Sequence, residues 1–331
     1  MSSPRTLLGL RRVPADLGAT VVTIGVFDGV HRGHQVLLER VAAEASAMGI
    51  TPGAITFDRH PIEVLKRDAS PPMLSTLRRR VELLGQHGMA FVLVLPFRQR
   101  LSRMQAEEFA VKVLLEAVSA RVIVVGDNFR FGHGAAGTPE LLARLARPHG
   151  VEVIAMSLGG EGGEAISSTR IRAALAEGDV ATATRLLGRP FAVEGHVVHG
   201  NHRGRALLGV PTANLRLPAR LAVPARGVYA GHLEIGGPTG RPLPAVSNVG
   251  VNPQFGGVPL RVEAHVLDFD ADLYGRHVSV SFEHRLRDET TFPDIAALAA
   301  QMREDIRQAR RLLGTPGSPS AAPARPEADK C

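Results

Sequence analysis

The 331-residue chain has no tryptophan, two tyrosines and twelve phenylalanines. The aromatic platforms on which single-stranded nucleic acid stacks are therefore poorly supplied, and no nucleic-acid partner is expected. Its one cysteine is Cys331, which excludes an internal disulfide framework or a cysteine-built metal cluster within one chain. That usage fits a reducing, cytoplasmic setting. No run approaches the roughly 20 apolar residues of a membrane span. The opening MSSPRTLLGLRRV sets arginines beside a few leucines without the apolar core of an export signal, so the chain reads as soluble, unexported and without a membrane partner. A concentrated charge is also missing. Lys and Arg outnumber Asp and Glu by 39 to 32, but the net +7 is spread out. It suits nucleic acid, anionic membranes or phosphorylated small molecules and selects none of them. The longest basic run, Arg78 to Arg80, reads as a solvated helix face.

The chain does have enough apolar material, 44% of its residues, to bury two cores, and its length favours two domains. From Val21 to about Gly178 the short apolar runs VVTIGVF, GAITF, FVLVLPF, RVIVVG and VEVIAM alternate with segments of helix period. That alternation is the mark of a parallel sheet with helices on both faces. Leu37, Val41, Ala45 and Met48 recur on one helical face, and Leu77, Val81 and Leu84 on another. After LLGRPF, Leu186 to Phe191, the period changes to two in FAVEGHVVHG, GVYAGHLEI, RVEAHVLDF and HVSVSFEHRL. Runs of that kind, broken by Gly and Pro, predict a small antiparallel sheet or barrel. A last helix from about Pro293 to Leu313, with Ile295, Leu298, Met302 and Ile306 on one face, packs on that sheet. The expected domains are 1–185 and 186–313, followed by a tail, 314–331, rich in Pro, Ala, Gly and Ser and expected to be disordered.

Chemistry enters at GVFDGVHRGHQ, Gly25 to Gln35, directly after the first apolar run. In an open α/β sheet, ligands bind beyond the carboxyl ends of the strands. His31 and His34 fall at that edge. Gly29 and Gly33 let the backbone turn tightly and approach a ligand, and a helix beginning near Gly33 offers free N–H groups and a positive dipole end. Such a site suits attack on a nucleotide α-phosphate, where imidazole or imidazolium donors meet growing charge. On spacing alone, the simpler reading is that one histidine caps the helix while the other lies on the surface. A zinc site would need further ligands at set spacing.

GVFDGVHRGHQ resembles the H-x-G-H signature of the nucleotidyltransferases, and in its F-D-G-V-H-x-G-H form it is similar to the bacterial bifunctional riboflavin kinase and FAD synthetase family. TFDRHP (Thr56–Pro61), GDNFRFGHGAAG (Gly126–Gly137) and ISSTRIRAALAEGDV (Ile166–Val180) resemble that family's other adenylyltransferase motifs, in its order. The resemblance implies a nucleotidyltransferase-type, Rossmann-like first domain. In it His31 and His34 are catalytic, and Gly29, Gly33, Ser167, Ser168, Thr169 and Arg172 bind ATP phosphates. Asn128 and Phe129 line the flavin site, and Asp58 and His60 flank the join between the two substrates. Asp28 either helps to organise Mg2+ or holds the turn through backbone N–H groups.

PTANL, Pro211 to Leu215, resembles the flavokinase motif, and the resemblance implies a small antiparallel β-barrel with a terminal helix. Thr212 and Asn214 would hold Mg2+ and ATP phosphates there, and Glu263 would be the catalytic base. LYG, Leu273 to Gly275, is also family-like. Three features depart from the pattern. The segment before PTAN is one residue longer and carries Val210 where Phe is common, Gln254 stands where Thr is usual, and Arg59 replaces the proline of T-F-x-P-H-P. The resemblance spans Val21 to Leu313 and implies ATP-dependent phosphorylation of riboflavin to FMN, then adenylylation of FMN to FAD with release of pyrophosphate. The alternatives are an adenylyltransferase with an impaired kinase, a transferase for another phosphorylated acceptor, and a non-catalytic flavin-binding regulatory protein. The oligomeric state is not legible in the sequence.

Overall fold

The computed structural model describes residues 3–66, 69–161, 164–199, 212–236, 240–250 and 261–315. They form two units, the first of residues 1–193 and 218–224, the second of residues 194–217 and 225–331.

The first unit is built on six parallel strands, β1 (Arg5–Leu8), β2 (Thr20–Ile24), β3 (Thr51–Phe57), β4 (Phe91–Leu95), β5 (Ala120–Gly126) and β6 (Glu152–Met156), in the order β1-β4-β3-β2-β5-β6. Successive side chains point to opposite faces, and both faces are covered. Val21, Ala54, Val92, Val94, Val122 and Val124 pack on α1 (Arg32–Met48) and on α3 (Leu77–Gln86), which follows the short α2 (Pro61–Leu65). Val22, Ile24, Ile55, Leu93, Ile123 and Val125 face the other core. That core takes in Phe109 of α5 (Ala106–Phe109), which follows α4 (Gln99–Ser102), the wider π-type turns at Ala110–Glu116, and Leu142 of α6 (Pro139–Ala146). The chain order reverses across β2 and β5, so the loops after these two strands open at the crevice where ligands bind in such sheets.

Gly53 of β3 stands beside the Phe91 ring, where an added Cβ would lie 2.2 Å from two ring atoms. Phe91 is buried on all sides and cannot swing away. Gly53→Ala is therefore expected to destabilise the fold by about 1–3 kcal/mol, read as a lowered thermal midpoint.

The sequence expectations differ from the structure at three places in this unit. The edge strand β1 went unread, because four residues carry too little periodicity. Met48 is largely exposed at the end of α1, beyond the last buried turn. Arg80 is not on a solvated face; it is 1% exposed, with only Arg78 and Arg79 pairing Glu82 at the surface.

Beyond β6 lie the two-residue strands β7 (Gly160–Glu161) and β8 (Glu164–Ala165), then α7 (Ser168–Glu177) and α8 (Val180–Leu187). The second unit is a closed barrel of antiparallel strands, in the ring order β12-β13-β10-β9-β14-β11 and back to β12. These are β9 (Phe191–Val198), β10 (Ala213–Arg216), β11 (Gly227–Ile235), β12 (Leu243–Gly250), β13 (Arg261–Val266) and β14 (His277–Phe282), with β15 (His284–Arg287) pairing on β11. Tyr229, Leu233, Val249, Val262, Val280 and Phe282 fill it. The terminal helix α9 (Ile295–Leu313) packs on β11, β12 and β15. Its most buried residues are Asp305 and Ala309, and Asp305 takes Arg287 in a two-pronged ion pair at 2.8–3.1 Å, so the packed face turns on a charge pair as well as on its apolar stripe. The segment before PTAN including Val210, the motif's own Pro211, the stretch 251–260 with Gln254 and the tail 316–331 lie outside the described residues.

Candidate functional site

The chain leaves β2 into a loop that L-residues resist. Phe27 (φ 51°), Gly29 (φ 77°) and Val30 (φ 41°) all adopt left-handed backbone, and for the β-branched Val30 this is costly. The surroundings hold it there. Gln35 Nε2 donates to Val30 O (3.0 Å) and Leu187 O (2.8 Å), Gly29 N donates to Ser75 Oγ (3.2 Å), and Arg189 donates to the carbonyls of Gly29 and Val30. Asp28 is buried and accepts from Leu74 N (2.9 Å) and Ser75 N (3.3 Å), while Arg172 Nη2 closes on it at 2.6 Å. Both carboxylate oxygens are thereby spent. These contacts let Asp28 hold the loop, with the N–H groups coming from residues 74 and 75 rather than from its own turn.

The loop delivers His31 to the N-cap of α1. Its Nδ1 accepts from His34 N at 3.4 Å, which puts the imidazole hydrogen on Nε2. The two rings stack at 3.6 Å between centroids, and Phe27 meets His34 edge-on at 5.1 Å. Gly33 makes room for this, since a Cβ there would lie 2.9 Å from Leu158 O. Burial, then the nearby charge of Arg189, lowers the His31 pKa to about 4. Burial, then His31 and Arg80, pushes His34 well below the ordinary histidine range. Both rings are thus neutral at physiological pH, each with one ring N–H to offer beside the free N–H groups of the first turn of α1. Because the unfolded chain protonates this histidine near pH 6.5 and the folded chain only near pH 4, His31 weakens the fold as pH falls through that interval. The thermal midpoint should drop accordingly, and His31→Asn should blunt the drop.

The other expected residues of this unit gather on the same strand edge. Ser167 caps α7 by accepting from Arg170 N at 3.2 Å, Ser168 Oγ donates to Asp28 O at 3.0 Å, and Thr169 is exposed. Arg172 spends Nε on Pro72 O and Nη2 on Asp28, which leaves Nη1. Asn128 is exposed in the turn after β5, and Phe129 stacks on Phe131 at 5.3 Å. His60 caps α2 by accepting from Ile62 N at 3.2 Å. Asp58 is turned to structural partners, Phe97 N at 2.8 Å and Arg98 at 2.7 Å. The sequence reading missed Arg80 and Arg189, which tie down the histidine loop. A signal for Arg80 was available, because position 80 is three residues from Leu77 on the apolar face of α3.

In the barrel, Asn214 of β10 stands opposite Glu263 of β13, which stands opposite Asn248 of β12, a row of three polar residues across three strands. Burial raises the Glu263 pKa, and Arg261 opposes the shift. Asn214 is buried, and its Oδ1 has no partner among the described residues. Thr212 is half-buried two positions before it on the same strand path. A buried carbonyl oxygen without a partner and a hydroxyl nearby are hard oxygen donors of the kind magnesium takes, so these residues fit the ion. Among the described residues, no group of three or more His, Cys, Asp or Glu could hold a metal, and no helix is long and apolar enough to cross a membrane.

Comparisons with known proteins agree with this division. A family model for FAD synthetase matches residues 13–170, and one for riboflavin kinase matches residues 187–313. The bifunctional riboflavin kinase/FMN adenylyltransferase of Escherichia coli strain K12 is 38% identical over 294 residues, covering 89% of this chain and 93% of that protein. Its namesake from Pseudomonas fluorescens is 38% identical over 305 residues, covering 92% and 96%. A Streptococcus pneumoniae structure titled a macrolide-efflux protein superposes with TM-score 0.81 at 32% identity, over 92% of this chain and 98% of that one. With both domain models in sequence and more than nine-tenths of each relative's length covered, the chain belongs to the bifunctional riboflavin kinase/FMN adenylyltransferases.

Proposed function

We propose that the chain's two activities are carried by the side chains described above, FMN adenylylation on the loop after β2 and riboflavin phosphorylation on the Asn214–Glu263 row. The observation that supports this best is the stacked pair of neutral histidines at the start of α1, beside the central strand of a parallel sheet. A phosphate oxygen of FMN attacks the α-phosphorus of ATP, the bond to the β-phosphate breaks, and pyrophosphate leaves. His31 and His34 donate N–H to the phosphoryl oxygens as charge grows on them. The N–H groups at the starts of α1 and α7, the hydroxyls of Ser167, Ser168 and Thr169, and Arg172 Nη1 hold the departing phosphates, with Gly29 and Gly33 letting the backbone come close. Asn128 and Phe129 hold the flavin, with Asp58 and His60 at the join.

In the barrel, Glu263 takes the proton of the ribityl 5′-hydroxyl as its oxygen attacks the γ-phosphorus of a second ATP and ADP leaves. Thr212 and Asn214 would hold Mg2+, which when bound neutralises charge on the phosphate oxygens. The partners are these small molecules alone, without nucleic acid or membrane, and the single cysteine at Cys331 supports work in the cytoplasm. The test is a chromatographic time course of the purified protein with riboflavin, ATP and magnesium, beside one started from FMN. Riboflavin passing through FMN to FAD is expected. FAD from FMN alone would mean that the kinase has been lost, and no product from either would leave a flavin-binding protein.

A further inference from the structure

Among the described residues Arg80 is the largest fully buried side chain, and none of their carboxylates lies within ion-pair distance of it. Its Nη1 donates instead to Val26 O (3.0 Å), two residues beyond β2, and to Thr56 Oγ1 (3.2 Å) and Phe57 O (2.9 Å) at the end of β3, and its Nε has no partner among the described residues. Asp28 and Asp58 attract it from a distance, and Asp28 is already neutralised by Arg172. A buried, uncompensated cation is costly and persists where something repays it. Here it sits under the sheet edge from which the loop before α1 rises, gripping Val26 one residue before the left-handed backbone that begins at Phe27.

We propose that Arg80 is a positioning residue for adenylyl transfer, whose buried guanidinium locks the strand ends beneath His31 and His34 and supplies the site with fixed positive charge for an anionic nucleotide. The inference rests on the reading that the two histidines act on the transferred phosphoryl group. The charge of Arg80 reaches His34 and His60. The other charged or titratable groups that face the histidines are Arg172 from α7, Arg189 after α8, and Asp28. Removing Arg80 takes one of three cations from around the pair, and His34 becomes easier to protonate.

The test uses the full chain, with FAD formation from FMN and ATP as the readout and riboflavin phosphorylation as the internal control. Arg80→Lys keeps the charge, Arg80→Gln keeps a donor without the charge, and Arg80→Met keeps neither. We expect Lys to stay within about fivefold of the parent, while Gln and Met lose about a hundredfold in kcat/KM for ATP. The acid limb of the Gln profile should also move to higher pH. Should the Met variant fail to fold, the contrast between Lys and Gln decides. The proposal is overturned if Gln matches Lys in rate and profile, or if Lys falls as far as Gln with the pH profile unmoved. His34→Ala in the same assay separates the two levels. If that variant still makes FAD, the reading of the histidines fails. If it does not while Gln behaves as the parent does, only the role of Arg80 fails.

Discussion

His31→Ala is expected to lower FAD formation by about 10²–10³-fold while riboflavin is still converted to FMN at the parent rate. The size follows from what the ring does. It is neutral and carries its hydrogen on Nε2, because Nδ1 is committed to His34 N. Its removal also unstacks His34, whose ring lies 3.6 Å away. A second effect must be separated from this one. His31 caps α1, and loss of a cap costs about 1 kcal/mol of stability. His31→Asn restores a capping side chain without the imidazole, so it should recover the thermal midpoint and not the FAD. Unchanged FAD synthesis in the Ala variant would remove the histidine from the mechanism.

Glu263→Gln should have the mirror effect, cutting riboflavin phosphorylation by about 10²–10⁴-fold and leaving adenylylation of supplied FMN untouched. Glutamine matches glutamate in shape and in the register opposite Asn214 and Asn248, so the barrel persists while the proton acceptor is lost. The raised pKa of Glu263 adds a pH signature. The base is lost as pH falls through a value above the ordinary carboxylate range, so FMN formation should decline on the acid side earlier than a solvent-exposed glutamate would dictate. A Gln variant that phosphorylates riboflavin normally would move the base elsewhere.

Much of this was legible because the relevant elements are strongly patterned. The strands β2 to β5 are continuous apolar runs that could only be buried on both faces, and the motif residues fall where those runs end. The unread pieces are those whose signal is short or polar. β10 is a four-residue strand that starts within PTANL and ends one residue beyond it, too short to show a period, and β12 reads LPAVSNVG, with Ser and Asn amid its apolar positions. Arg80 was misread because three consecutive arginines look like one feature, whereas a helix turns each to a different side. The partners of Asp28 could not be read from the sequence, since Leu74 and Ser75 lie 46 and 47 residues away.

The first unit takes back Pro218–Pro224 after β10 has already been laid into the barrel. Met73 donates to Arg220 O at 2.7 Å and accepts from Ala222 N at 2.7 Å, immediately before Leu74, whose N–H holds Asp28. The two enzymes are therefore interleaved along the gene rather than strung end to end. A split at residue 193 would strip Met73 of both backbone partners and loosen the anchor of the histidine loop. An adenylyltransferase passed on by itself would forgo the two backbone bonds that those seven residues give Met73, which favours inheritance of the pair as one reading frame.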